Sequence, residues 1–480
     1  MLRHRRRSAV VAVASAATVI VLGAGLASAA GTAALAATGP VSPTPASGTP
    51  ELANTGATQT VRQLAQCGNT MYAVGAFSMI KRYSTSYTRD NVFSFSATSP
   101  YSVTSWNPDV NGVVNSITFN SNCSDAYIGG KFTSVGGTAV KDLAEVSTST
   151  GAVVTTFRHS ANGQVETLAR YGSHILTGGY FTSINNSTAD PYMVSLDAVT
   201  GKDDGFLQLH ISGSYHYCNS TGSQCTATNP TRVYNQQLSN PGAPDGGTLD
   251  LVEGDFTSAG GLPRQQIFML NLAATSASVT GWTSPEWDGS DPTQPYQCSF
   301  IEPFYLQAAA WSPDDSTIYV ATTGYKPWNL PAGTYPRSGP CDMAAAYPAT
   351  QAPVTHEWIN YTGCDSLYAD AADASAAYFG GHERWSQNPS DCDQQGPGAV
   401  ADPGLEGLVP ATGLDMLNSG GGALYTRSRG QGADDMLTTS AGLWIASDSG
   451  TVSKGVFGYS QTCGGVTSHS GICFLPYSSS

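Results

Sequence analysis

"YIGGKFTSVGG", residues 127–137, returns as "LTGGYFTSINN" at 176–186 and "LVEGDFTSAGG" at 251–261, with a looser copy, "YAVGAFSMI", at 72–80. A catalytic residue is needed once, whereas a phrase that recurs serves the unit that recurs. Around each copy the order of parts is constant. An apolar segment comes first ("VRQLAQ" from 61, "VVNSITF" from 113, "QVETLAR" from 164), then a polar turn, then the Gly-x-Phe strand. After a loop come a third strand ending in Thr-Gly ("LAEVSTSTG", "MVSLDAVTG") and a fourth that carries an aromatic. Four short strands in roughly 50 residues, joined by turns, predict a propeller blade.

The later chain keeps this rhythm with other residues. "LQAAAWSPDDSTIYVATTG" from 306, "LYADAADASAAYFGG" from 367 and "DMLTTSAGLWIASDSG" from 435 each pair an inner strand with a second one. The reading is an all-β chain forming one β-propeller, residues 59–480, with seven four-stranded blades starting near 59, 113, 164, 231, 300, 364 and 432. The irregular 231–300 unit leaves six or eight blades as alternatives. The segment near residues 50 to 60 is the candidate for adding a strand to the last blade.

"DAYIGGKFTSVGGTAVKDLAEVSTSTGAVVTTFRHSANGQV", residues 125–165, resembles the delta-sixty repeat β-propeller group of secreted actinobacterial proteins. "YFGGHERWSQNP" at 378–389 followed by "GPGAVADPGLEGLVPATGL" at 396–414 resembles the closing blades of such proteins. The resemblance is good over 59–260 and looser beyond. It implies a kelch-like propeller fold and a secreted habit, and no settled activity.

The first 29 residues have arginines at 3, 5, 6 and 7, an apolar run and small residues at Ala27 and Ala29. That is the build of a secretory signal peptide, cleaved after Ala29 or Ala36. Arg6-Arg7 leaves twin-arginine export as an alternative. Residues 30–58, rich in Ala, Pro, Ser and Thr, read as a flexible linker. No other stretch is long and apolar enough to span a membrane. The extracellular habit also fits ten cysteines, an even number that implies disulfides. Cys67 and Cys123 fall at matching places in consecutive repeats; Cys218 with Cys225 and Cys463 with Cys473 would staple single loops. Cys298 with Cys364 and Cys341 with Cys392 remain by elimination. No Cys-x-x-Cys occurs, and neither a metal site nor a cofactor is indicated.

The chain carries a net charge of −14, and 53 glycines and 27 prolines punctuate it. So acidic a chain is a poor partner for nucleic acid, and its many turns favour β-structure. A monomer is favoured.

Where every blade shares a residue, that residue is structural, so function is sought where blades differ. Long insertions fall on connections that emerge on one propeller face: 78–91, 213–230, 325–342 and 382–404. They hold Tyr83, Tyr217, Lys326, Trp328, Tyr335, Arg384 and Trp385, aromatics interleaved with hydrogen-bonding groups of the kind that stack on sugar rings. A second signal is the residue after the first apolar position of each inner strand: Arg62, Asn115, Glu166, Tyr234, Gln307, Ser366 and Asp434. These would ring the channel mouth, with Asp434 and Arg62 neighbours across the closure. The third is "GGHERW", where His382 enters and Glu383 replaces the phenylalanine. A His and a carboxylate are the parts of an acid/base pair.

Two kinds of function follow. The leading one is a secreted propeller binding a carbohydrate or cell-envelope ligand through its aromatic loops. The alternatives are an extracellular polysaccharide lyase or glycoside hydrolase, with His382, Glu383 and a channel carboxylate, Glu166 or Asp434, as catalytic groups, and a protein-interaction scaffold.

Overall fold

A computed structural model describes residues 39–214, 229–287, 304–324, 341–389, 394–425, 432–449, 462–463, 466–467 and 469–478. Eight β-sheets of three or four antiparallel strands occur among these residues, and seven of them follow one another as blades. Their innermost strands are Thr60–Cys67, Val113–Phe119, Val165–Tyr171, Arg232–Leu238, Tyr305–Trp311, Leu367–Ala372 and Ala433–Thr439. Each packs on the next, and the last on the first, which makes a closed ring about a central channel. The chain is an all-β propeller.

The apolar side chains fall into clusters that each straddle two neighbouring blades. Tyr72, Val74, Ile117 and Ile128 join blades one and two; Val61, Phe93, Trp444 and Phe474 join seven and one. A blade therefore has no core of its own, and closing the ring is what buries its two faces. Fourth-strand tryptophans add polar latches. Trp106 Nε1 donates to Ser147 O of the next blade, Trp282 Nε1 to Pro348 O and Trp358 Nε1 to Pro410 O, all within 2.7–3.0 Å.

Closure depends on a segment that the sequence marks as linker. Val41 pairs with Tyr477, and the N–H groups of Ser42 and Ala46 donate to Pro476 O and Phe474 O. Residues 41–46 thus run along the outer edge of the seventh blade, bonded to it at Val41, Ser42 and Ala46, ahead of the stretch expected to add a strand there. Val41 is buried, its N–H donating to the Tyr378 hydroxyl and its carbonyl accepting from the Tyr425 hydroxyl, both in blade six. Glu51–Leu52 then pairs with a hairpin of blade one, Met79–Arg82 and Thr85–Thr88.

The recurrent phrase now has a mechanical account. Every innermost strand carries one register shift against its neighbour, at Arg62, Asn115, Glu166, Tyr234, Gln307, Tyr368 and Asp434. The extra residue of this β-bulge pushes backbone toward the second strand, and the second glycine of the phrase makes room. A Cβ on Gly130 would lie 2.1 Å from Val113 O, and one on Gly129 2.4 Å from Val165 Cγ1 in the next blade. Phe132 is buried between blades, and Thr133 and Ser134 turn into a short hairpin whose tip, Gly136-Gly137, needs positive φ. The Asn-Gly at the preceding junction holds that hairpin: Asn111 Oδ1 accepts from Thr133 N and Ser134 N, and Asn162 Oδ1 from Thr182 N and Ser183 N.

The Cys67–Cys123 disulfide joins the first-strand turns of blades one and two. Cys341, Cys364 and Cys473 are also disulfide-bonded; Cys218, Cys225, Cys298 and Cys392, and the side chain of Cys463, lie outside the described residues. No helix among the described residues is long and apolar enough to cross a membrane.

Candidate functional site

The bulges place one side chain per blade at the channel mouth, because a bulged residue leaves the in-out alternation of its strand. In blade six that residue is Tyr368, a correction to the expected Ser366. The alanine-rich run there gives a weak apolar pattern, and Leu367, not an earlier residue, starts the inward-facing series.

Hydrogen bonds join three of these side chains in a chain across the first three blades. Arg62, exposed in the channel, donates through Nη1 to Asn115 Oδ1 (2.7 Å), and Asn115 Nδ2 donates to Glu166 Oε2 (2.9 Å). Glu166 lies near both Arg62 and Arg232; burial raises its pKa while the two guanidinium charges hold it down. The Arg232 guanidinium lies over the rings of Tyr180 and Tyr234, 4.9 and 5.0 Å from their centroids. Its Nε donates to Asp255 Oδ2 at 2.5 Å, and its Nη1 bonds the Tyr180 hydroxyl. Asp255 is 1% exposed, so this pair fixes the guanidinium firmly. Asn229 Nδ2 donates to the Tyr305 hydroxyl beside it (2.7 Å).

Across the channel Tyr368 meets His382, hydroxyl to Nδ1, at 3.2 Å. Asp434 keeps contact with channel solvent, yet the surrounding walls enclose it. That enclosure, with Asp448 and Asp435 behind it, raises its carboxyl to about 8 against the pull of Arg62. Asp435 points the other way and accepts from Leu64 N (2.7 Å), latching blade seven to blade one.

Of the residues expected at the site, Arg62, Glu166 and Asp434 share the mouth, with Asn115, Tyr234 and His382. Glu383 is fully buried inside blade six. Arg384 is turned to Asp365, Nε to Oδ2 at 2.6 Å, and braces the loop. Trp385 is half-buried, in a short strand with Ser386 paired to Val400–Ala401. Tyr83 is 65% exposed but belongs to the hairpin that packs on the closing segment, stacked under Arg82. Tyr217, Lys326, Trp328 and Tyr335 lie outside the described residues. Sequence reading missed Arg232, Asp255 and Tyr180. A signal for them existed: Tyr180, Asp255 and His382 occupy the variable x of the Gly-x-Phe phrase, and that position lies next to the bulge.

No family model matches the chain, and no curated protein matches it. Among solved structures, the chain is similar in fold to U3-55K (TM-score 0.45, 7% identity, 87% of this chain and 95% of that one). It is also similar to the WD40 propeller domain of Doa1 (0.42, 11%, 83% and 94%) and the WD40 repeats of RRP9 (0.41, 9%, 90% and 98%). At such identities the likeness concerns fold alone.

Proposed function

We propose that the protein is a secreted binding propeller of the delta-sixty repeat type, and that its channel mouth takes a hydroxyl-rich ligand, carbohydrate or other cell-envelope material. The observation that carries this reading is the fixed Arg232, set between Tyr180 and Tyr234 and beside Glu166. A guanidinium, a carboxylate and an amide pair with vicinal hydroxyls as donors and acceptors, while the tyrosine faces stack on the apolar side of a sugar ring. All of them are held by bonds to their own neighbours before a ligand arrives, which lowers the ordering cost of binding. Secretion rests on the signal-like first 29 residues and the cysteine count.

The hydrolase and lyase alternatives lose support because Glu383 has no access to solvent. A screen of soluble polysaccharides and glycan arrays tests the proposal, with Arg62→Ala and Tyr234→Ala in parallel. At least one glycan should be retained, and each variant should weaken it about tenfold or more, or about 1.4 kcal/mol. Retention of no glycan, or retention indifferent to both changes, sinks the reading; capture of proteins alone would favour the scaffold.

A further inference from the structure

Where the repeats bury a phenylalanine, blade six buries Glu383, and three more carboxylates surround that position: Asp402, Glu406 and Asp415. Relative exposures are 0% for the first three and 6% for Asp415. Asp402 follows the Val400–Ala401 strand, and its N–H donates to Arg384 O (3.0 Å). Glu406 opens the third strand, and Asp415 lies in the outermost one, paired with Leu408. No oxygen of Asp402 or Asp415 has a donor on it when both are ionised. The polar groups facing them give little help. The Arg384 guanidinium is held by Asp365, the Ser386 hydroxyl accepts from Asn360 Nδ2 and directs its own proton to Glu406, and Gln387 Oε1 faces the N–H, not the carboxylate, of Asp415. His382 is turned to Tyr368. No three acidic, histidine or cysteine side chains among the described residues are arranged to hold a metal ion.

An ionised carboxylate only accepts, so two facing ones repel; a proton on one turns the clash into a hydrogen bond. Asp402 and Asp415 stand within hydrogen-bonding reach of each other. We propose that Asp402 retains a proton and donates it to Asp415, so that one O–H···O bond ties the loop after Ala401 to the outermost strand of blade six. Burial raises both carboxyls, Asp415 to about 7, and Glu406 and Glu383 raise Asp402 further. With folded pKa values above the unfolded ones, the pair's contribution is complete at acidic pH; it begins to fall as pH rises through about 7, where Asp415 gives its proton to solvent, and the bonding proton on Asp402 leaves only at higher pH. The same loop backs His382–Trp385, since Gly404 N also donates to Glu383 O (3.2 Å). If the mouth is the binding site, its sixth-blade wall is therefore firmest in acid; the proton bond itself does not depend on that reading.

Asp402→Asn tests it, because an amide donates to Asp415 at every pH. The urea midpoint is measured at about pH 5 and about pH 8. The variant should match the wild type at the lower pH and exceed it at the higher, and Asp415→Asn should do likewise. Midpoints of both variants below wild type at both pH values overturn the proposal, as does a gap between variant and wild type that does not change with pH. A wild-type midpoint raised by Ca²⁺ but unmoved by Ca²⁺ in both variants would also overturn it, by showing a cation between the carboxylates.

Discussion

Arg232 and Asp255 face each other across the mouth of blade four, Nε to Oδ2 at 2.5 Å, as direct partners on adjacent strands. The carboxylate is buried and the guanidinium reaches the channel, so the pair converts a concealed charge into a positioned donor. Arg232→Ala should cost about 3–5 kcal/mol of stability, because it strands a buried charge. The double variant Arg232→Ala/Asp255→Ala should recover much of that. Denaturant unfolding of both proteins checks the difference, and a double variant no more stable than the single one would contradict the assignment.

Glycines within one phrase should differ in tolerance. Gly130→Ala places a Cβ 2.1 Å from the Val113 carbonyl oxygen, which cannot move without undoing the bulge. Gly137 has open space around it and only its φ of +77° to satisfy. The cost at Gly137 should be about 1–2 kcal/mol, and that at Gly130 larger, with impaired folding. Thermal denaturation of the two variants ranks them.

Removing residues 39–46 should destabilise the seventh blade selectively. Amide exchange in Ile472–Pro476 should accelerate most, because that strand loses its outer partner. A uniform change across blades would instead mean that the segment contributes only to global stability.

His469 gives the closure a pH dependence of its own. It bonds Thr49 Oγ1 (2.9 Å) and lies 3.7 Å from Glu51, both on the closing segment. Burial lowers its pKa, with Glu51 pulling the other way. The unfolded chain therefore binds the proton more readily. Stability from this site is present above the ordinary histidine range and is lost as pH falls through it toward the folded value. His469→Gln should flatten the fall of melting temperature on that limb, which is opposite in sign to the Asp402–Asp415 limb.

Blade order was legible because Phe132, Phe181 and Phe256 recur with their glycines, and packing between identical neighbours demands identical residues. Six of the seven mouth positions were legible for the same reason: the bulge sits at one place in every inner strand. Tyr368 was not, since alanines in blade six blur the apolar period that sets the register. The edge segment at residues 41–46 was hidden more deeply. It is polar and proline-rich in sequence, and backbone pairing with the seventh blade, not side-chain pattern, is what orders it. Glu383 stood out as an oddity, but sequence alone could not say that it points inward among three other acids.

Val41 opposite Tyr477 has one more consequence. The two ends of the folded ring leave from neighbouring positions on one blade edge, so a tether fused to either would emerge at the same place and turn the molecule about a single pivot. The segments that meet at Val41 and Tyr477 could also be joined by a short peptide and the ring reopened between two other blades, giving a permuted protein with the same mouth.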